Sequence, residues 1–255
     1  MSELESRWTT VGGLRVHARV GGPAGTRPIL LAHGIGVSSR YFVPLARLLA
    51  ERHRVVAVDL PGWDGSDRPP SALDIPGLAG ELAAWLDAEE IECPYIVANS
   101  LGCQVTIDLA AREPERFERI VLIGPTVDPR YRTPLHHAPR FFVDAVREPP
   151  SLLPIIVRDY VRFGLRRFVA TAGAALRDRP EDKLPRVSAP TLVIKGGRDA
   201  FVSTDWVEEM VELLPRGELA VVPRAPHATH YAAPGTVAAL VERFISGEKL
   251  PDPIG

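Results

Sequence analysis

The sequence predicts an α/β fold: a mostly parallel central sheet with an antiparallel N-terminal edge, flanking helices and one inserted helical segment. Three observations carry this. Short apolar, β-branched runs recur along the chain, helical periodicity fills the intervals between several of them, and a hairpin signal precedes the first.

In chain order, residues 8–10 and 14–20 flank Gly12-Gly13, a dipeptide that accepts the positive φ angles of a tight turn, so an antiparallel edge is expected. Runs at 29–32, 55–58, 95–98, 120–123, 192–194 and 219–222 read as strands buried on both faces. Apolar residues return every three or four positions at 41–51, 78–89, 105–112 and 206–214, which read as helices. The alternation breaks between 124 and 190, where Pro134, Pro139, Pro149, Pro150, Pro154, Pro180 and Pro185 punctuate helical pieces. The expected division is a core of residues 1–127 and 186–255 with a helical lid of residues 128–185. Between Arg130 and Arg186 the twelve Arg and Lys exceed the six Asp and Glu, so the insertion is locally basic.

A chain of 255 residues suits one large-sheet domain plus an insertion, and 45% hydrophobic with 24% charged residues suits a packed core. The net charge of −2 supplies no overall basic field, so a small-molecule substrate is expected, with no nucleic-acid or membrane partner. Oligomeric state is left open. Two cysteines make no disulfide framework, the first eight residues lack a signal-like apolar stretch, and a cytoplasmic location is expected. No cofactor or metal site is read from the sequence.

The run at 95–98 leads through Asn99-Ser100-Leu101-Gly102-Cys103 into the helix at 105–112. A serine on such a strand-turn-helix junction is a candidate nucleophile, and Ala98, Gly102 and Cys103 are small enough to let strand and helix approach. The plainer alternative makes Ser100 an N-cap. A serine hydroxyl needs a general base that an acid orients. Asp199 and His227 each follow a strand end, and the order Ser100, Asp199, His227 is the one this architecture uses. Asp199 could instead cap the helix near Trp206. Asp128 also follows a strand, and His230 lies three residues past His227, so both are competing candidates. The loop His33-Gly34-Ile35-Gly36 offers the Ile35 amide to pair with that of Leu101 as an oxyanion hole, with His33 structural and Ser38 or Ser39 capping the next helix.

These motifs, with Asp59-Leu60-Pro61-Gly62-Trp63-Asp64-Gly65-Ser66-Asp67, resemble those of the α/β-hydrolase superfamily in order along almost the whole chain. The resemblance implies an α/β-hydrolase fold and a serine hydrolase, with Asp59 and Gly62 stabilising the loop below the site. Ala98 and Cys103 replace commoner glycines but stay small. A serine at the elbow argues against epoxide hydrolases and haloalkane dehalogenases, which resemble this pattern but carry aspartate there. Carboxylic-ester or lactone hydrolysis is expected first. Carbon-carbon hydrolysis of ring-fission products, whose enzymes share the Asn-Ser elbow, comes second, and a ligand-binding protein on the same scaffold third. The lid would line the pocket with part of the set Phe141, Phe142, Leu152, Leu153, Ile155, Ile156, Tyr160, Phe163 and Phe168, and a lid arginine could grip a substrate carboxylate.

Overall fold

The computed structural model describes residues 3–250, apart from the side chains of His137, Ala138, Phe141 and Phe142. Eight strands, β1 (Glu5–Val11), β2 (Leu14–Gly21), β3 (Ile29–Ala32), β4 (Val55–Val58), β5 (Tyr95–Asn99), β6 (Arg119–Ile123), β7 (Thr191–Gly196) and β8 (Gly217–Val222), form one sheet. Its order is β1-β2-β4-β3-β5-β6-β7-β8. The β1–β2 hairpin turns at Gly12-Gly13, both at positive φ, and β2 pairs antiparallel with β4. Every remaining pair is parallel.

Period-two alternation divides each central strand between two cores. In β3, Leu30 and Ala32 face one layer with α2 (Ile75–Ala88) and α3 (Leu101–Arg112), while Ile29 and Leu31 face the other with α1 (Val43–Leu49). Both faces are apolar, so the strands read as unbroken hydrophobic runs. The helix α2 begins three residues before the periodicity suggests, because Asp74 accepts from the Gly77 amide and Pro76 fits the first turn.

Between β6 and β7 the chain forms helices joined by turns and loops, with no strand among the described residues. This stretch contains α4 (Pro134–Arg147), α5 (Leu153–Phe163), α6 (Leu165–Arg177) and the short α7 (Pro180–Lys183). Several of the prolines that punctuate the sequence stand in first turns, where no amide bond is lost, and Pro139 lies inside α4. Then α8 (Thr204–Leu213) follows β7, and α9 (Thr229–Ala232) and α10 (Pro234–Ser246) follow β8.

The chain leaves β3 toward β4 on one side and later places β5 on the other side of β3. The loops after β3 and β5 therefore diverge at a topological switch point, where open α/β sheets form a crevice at their strand carboxyl ends.

Candidate active site

Ser100 follows β5 at φ 55°, ψ −119°, a strained conformation for a non-glycine residue. It occupies the cap position of α3, yet its side chain makes no capping hydrogen bond, so the plainer reading of this serine fails. The turn is tight: a Cβ on Gly102 would lie 2.5 Å from the Ala32 carbonyl oxygen, so only glycine lets α3 approach β3 this closely. Cys103 is buried with its thiol against the Ala98 and Ile123 carbonyls, filling the space under the turn.

Asp199 and His227 meet. His227 Nδ1 lies 2.8 Å from Asp199 Oδ2, and Asp199 Oδ1 accepts from the amides of Phe201 and Val202 at 2.7 and 3.1 Å. Both carboxylate oxygens are thus fixed, and the helix near Trp206 is capped by Ser203 instead. The pair converges on the elbow through Gly124: the Ser100 amide donates to Ile123, and a Cβ on the next residue would press on His227 Nδ1 at 2.9 Å and Asp199 Oδ2 at 3.0 Å. Asn99 Nδ2 adds a 3.4 Å bond to the His227 carbonyl.

The competing residues are otherwise engaged. Asp128 accepts from Arg130 and from the Ser203 hydroxyl, and these partners hold its carboxyl below the usual range against the opposing effect of burial. His230 is fully buried between Phe42 and Tyr41, with ring centroids 4.2 and 4.3 Å away and neither nitrogen hydrogen-bonded among the described residues. Burial, with the nearby His227, drives its pKa well below the ordinary imidazole value, so it is neutral packing.

The loop after β3 is held from below. Leu60 N–H donates to His33 Nε2 at 3.0 Å, which leaves the proton on Nδ1, 2.9 Å from the Gly34 carbonyl. Asp59 Oδ1 accepts from Ser39 N–H, and its Oδ2 meets the buried His17 at 2.7 Å. Gly34 N–H is taken by the Tyr41 hydroxyl, which in turn donates to Asn99 Oδ1. Among the described residues no acceptor meets the Ile35 or Leu101 amide, and these two flank the switch-point crevice. Tyr41 and Asn99 tie the loop to the elbow. Sequence reasoning missed this bridge, because a tyrosine inside an apolar helical run carries no signal of its own.

The inserted segment docks on this edge. The ring of Tyr160 lies over Gly36, and Phe163 stacks on Trp63 with centroids 4.6 Å apart. Asp159 accepts from Ser38 N–H at 3.0 Å and from its hydroxyl, while Arg158 and Arg162 reach Asp64 at 2.9 Å each. Burial opposes ionisation of Asp64, yet Arg158 and Arg40 pull its carboxyl down to about 2. Arg167 donates to the Pro69 and Ser71 carbonyls. These three arginines fasten the helical segment after β6 to the rest of the chain, which is a different use from gripping a substrate carboxylate. Of the apolar set expected to pack or line the pocket, Leu152 and Phe163 are buried, whereas Leu153 faces solvent because it stands on the outer side of α5. The side chains of Phe141 and Phe142 lie outside the described residues.

Two carboxyl groups, one on α4 and one on the residue that follows it, meet the backbone at His227 and Ala228. Asp144 Oδ1 accepts from His227 N–H at 3.2 Å, and Glu148 Oε1 from Ala228 N–H at 2.7 Å. Burial and Asp144 push Glu148 up to about 8. At His227 burial disfavours the cation, but Asp199, Asp144 and Glu148 outweigh it and raise the pKa above the ordinary value. The Asp144→Asn variant keeps an acceptor for the His227 amide and removes a negative charge, so the His227 pKa must fall. The acid limb of the profile, along which activity rises as the imidazole loses its proton, then moves to lower pH. The expected result is an acid limb of kcat/KM displaced downward relative to wild type, read from a pH profile; an upward displacement would contradict this electrostatic assignment.

The sequence pattern of the Alpha/beta hydrolase family matches residues 29–240. The chain belongs to the α/β-hydrolase family. It is 26% identical over 239 residues to the esterase YbfF of Escherichia coli (strain K12), covering 86% of this chain and 93% of that protein. It is 27% identical over 257 residues to a 2-hydroxy-6-oxononadienedioate/2-hydroxy-6-oxononatrienedioate hydrolase of Cupriavidus pinatubonensis (strain JMP 134 / LMG 1197), covering 87% of this chain and 89% of that protein. The fold superposes on the enol-lactonase from Burkholderia xenovorans LB400 with a TM-score of 0.82 at 21% identity, over 94% of this chain and 100% of that one. Family membership and these relatives support hydrolase activity. Among the described residues no helix is long and apolar enough to cross a membrane, and no cluster of three or more His, Cys, Asp or Glu could hold a metal ion.

Proposed function

We propose that the protein is a serine hydrolase acting on a carboxylic ester or lactone through a covalent acyl-enzyme. The observation that carries this reading is the 2.8 Å Asp199–His227 pair, which Gly124 packs against the strained Ser100 turn.

In this reading Ser100 Oγ attacks the substrate carbonyl carbon as His227 Nε2 takes its proton. Asp199, held by two amides, keeps His227 protonated at Nδ1 and stabilises the imidazolium that forms. The negative charge that develops on the carbonyl oxygen falls between the Ile35 and Leu101 amides, and one such donor is worth roughly 3–4 kcal/mol in the transition state. Collapse of the tetrahedral intermediate breaks the bond to the leaving oxygen, which receives the proton from His227. Water, deprotonated by the same imidazole, then attacks the acyl carbon and releases Ser100 and the carboxylic acid. The residues 128–185 act as a lid that selects the substrate, since Tyr160 over Gly36 and Asp144 beside His227 bring α5 and α4 against both sides of the reacting centre.

A panel of p-nitrophenyl esters, aliphatic lactones and ring-fission dienoates tests the substrate class. Turnover of esters or lactones is expected to exceed that of the dienoates in kcat/KM. A preference for the dienoates would move the assignment to carbon-carbon hydrolysis.

A further inference from the structure

The outer face of the lid has a character that substrate selection does not require. Of the described large apolar side chains that are exposed, all but Trp8 lie on α4, α5 and α6. On α5 they recur at Leu153, Val157 and Val161, and on α6 at Leu165 and Val169, a spacing of four that keeps each set on one side of its helix. These five are between 54 and 78% exposed. The opposite sides of the same helices already supply Tyr160 and Phe163 of α5 and Ala175 of α6 to the interior. An ordinary surface helix turns a polar face outward, so apolar faces on both sides call for a second partner.

The charges say what kind of partner. From Arg130 to Arg177 there are nine arginines and three carboxylates, Asp144, Glu148 and Asp159. All three carboxylates point inward, onto His227 N–H, Ala228 N–H and Ser38. The outward side is left with aliphatic side chains and the guanidinium groups that do not fasten the segment to the core. Arg158 and Arg162 turn to Asp64, whereas Arg166, directly after Leu165, and Arg177 are exposed with no carboxylate partner among the described residues.

We infer that this face docks on an anionic lipid surface, with the valines and leucines entering the headgroup boundary and the arginines meeting the lipid phosphates. Two features select that occupant. A second copy of the chain joined through the same patch would set arginines against arginines, since a two-fold interface pairs a surface with itself. The combination of long cationic stems beside aliphatic residues suits a layer that is apolar below and anionic above. The net charge of −2 hides this face, because the lid is basic and the rest of the chain acidic. The inference does not depend on the proposed reaction, because binding is measured without turnover.

The test is co-sedimentation of the full chain with vesicles of phosphatidylcholine mixed with phosphatidylglycerol, against vesicles of phosphatidylcholine alone. Binding to the mixed vesicles is expected, weakening as salt rises. The exposed double variant Val157→Glu/Val161→Glu should lose binding by at least about tenfold while keeping its melting temperature and its turnover of a short soluble ester. The pair Arg166→Glu/Arg177→Glu should weaken binding and flatten its salt dependence, and serves as a second readout that leaves the apolar residues in place. Absence of binding to the mixed vesicles, or equal binding to both vesicle types, would overturn the inference. So would a concentration-dependent dimer, seen by sedimentation velocity, that Val157→Glu/Val161→Glu dissolves, because the patch would then belong to a second copy.

Discussion

Ser100→Ala is expected to lower kcat on an activated ester by at least about 10³-fold, because members of a triad act as a unit and the loss of one removes most of what all three provide. The size of the effect follows from the position of the side chain. Ser100 sits at φ 55° on a turn that the close approach of Gly102 to Ala32 enforces, and its hydroxyl plays no part in capping α3. The substitution removes one oxygen and no hydrogen bond that holds the fold, so the melting temperature should stay close to wild type. Alanine at this φ is no worse than serine, since both carry a Cβ. A large loss of kcat with an unchanged thermal transition separates a chemical role from a structural one. Retention of wild-type turnover would remove the serine from the mechanism.

Asp199→Asn is expected to have the next largest effect, roughly 10³- to 10⁴-fold in kcat, by analogy with the loss when the acid of a triad becomes an amide. An asparagine can present its NH₂ to His227 Nδ1, which would place the imidazole proton on Nε2 and leave no base facing Ser100. The bonds from Phe201 and Val202 N–H to Oδ1 favour that orientation, because they require an acceptor on the other side. Asp128→Asn provides the contrast. Its carboxylate serves Arg130 and Ser203, so the loss there should appear in stability and leave kcat nearly unchanged. His227→Ala should resemble Ser100→Ala, and His230→Ala should act through the cavity it leaves between Phe42 and Tyr41. Stopped assays and thermal melts on these four variants separate the pairs. A kcat loss confined to Asp128→Asn or His230→Ala would reassign the acid or the base.

The sheet was legible because its strands are buried on both faces, and an apolar run such as residues 29–32 or 55–58 has no competing helical reading at that length. Strand ends were less so. β1 extends to Glu5 and β7 to Thr191 through backbone pairing, which side-chain type does not encode. Ser100, Asp199 and His227 could be named as candidates because each follows a strand end in a fixed order. The contacts that surround them could not. Asp64 with Arg158 and Arg162, Asp144 against His227, and Tyr41 against Asn99 join residues 58 to 98 positions apart, and no local pattern announces such pairs. The basic character of the segment from Arg130 to Arg186 was visible as a count. That the three carboxylates between Arg130 and Arg177 turn inward, leaving aliphatic side chains with Arg166 and Arg177 outside, has no local signal in the sequence.

The measurement that bears most directly on the central claim is covalent labelling with a fluorophosphonate, followed by peptide mapping. The phosphorus is attacked by an activated serine oxygen with loss of fluoride, so the adduct reports nucleophile, base and oxyanion donors together. Wild-type protein is expected to carry one label, on the peptide containing Ser100, with labelling abolished in Ser100→Ala and strongly slowed in His227→Ala. A label that persists in Ser100→Ala, or that maps to another residue in the wild type, would contradict the assignment of Ser100 as the nucleophile.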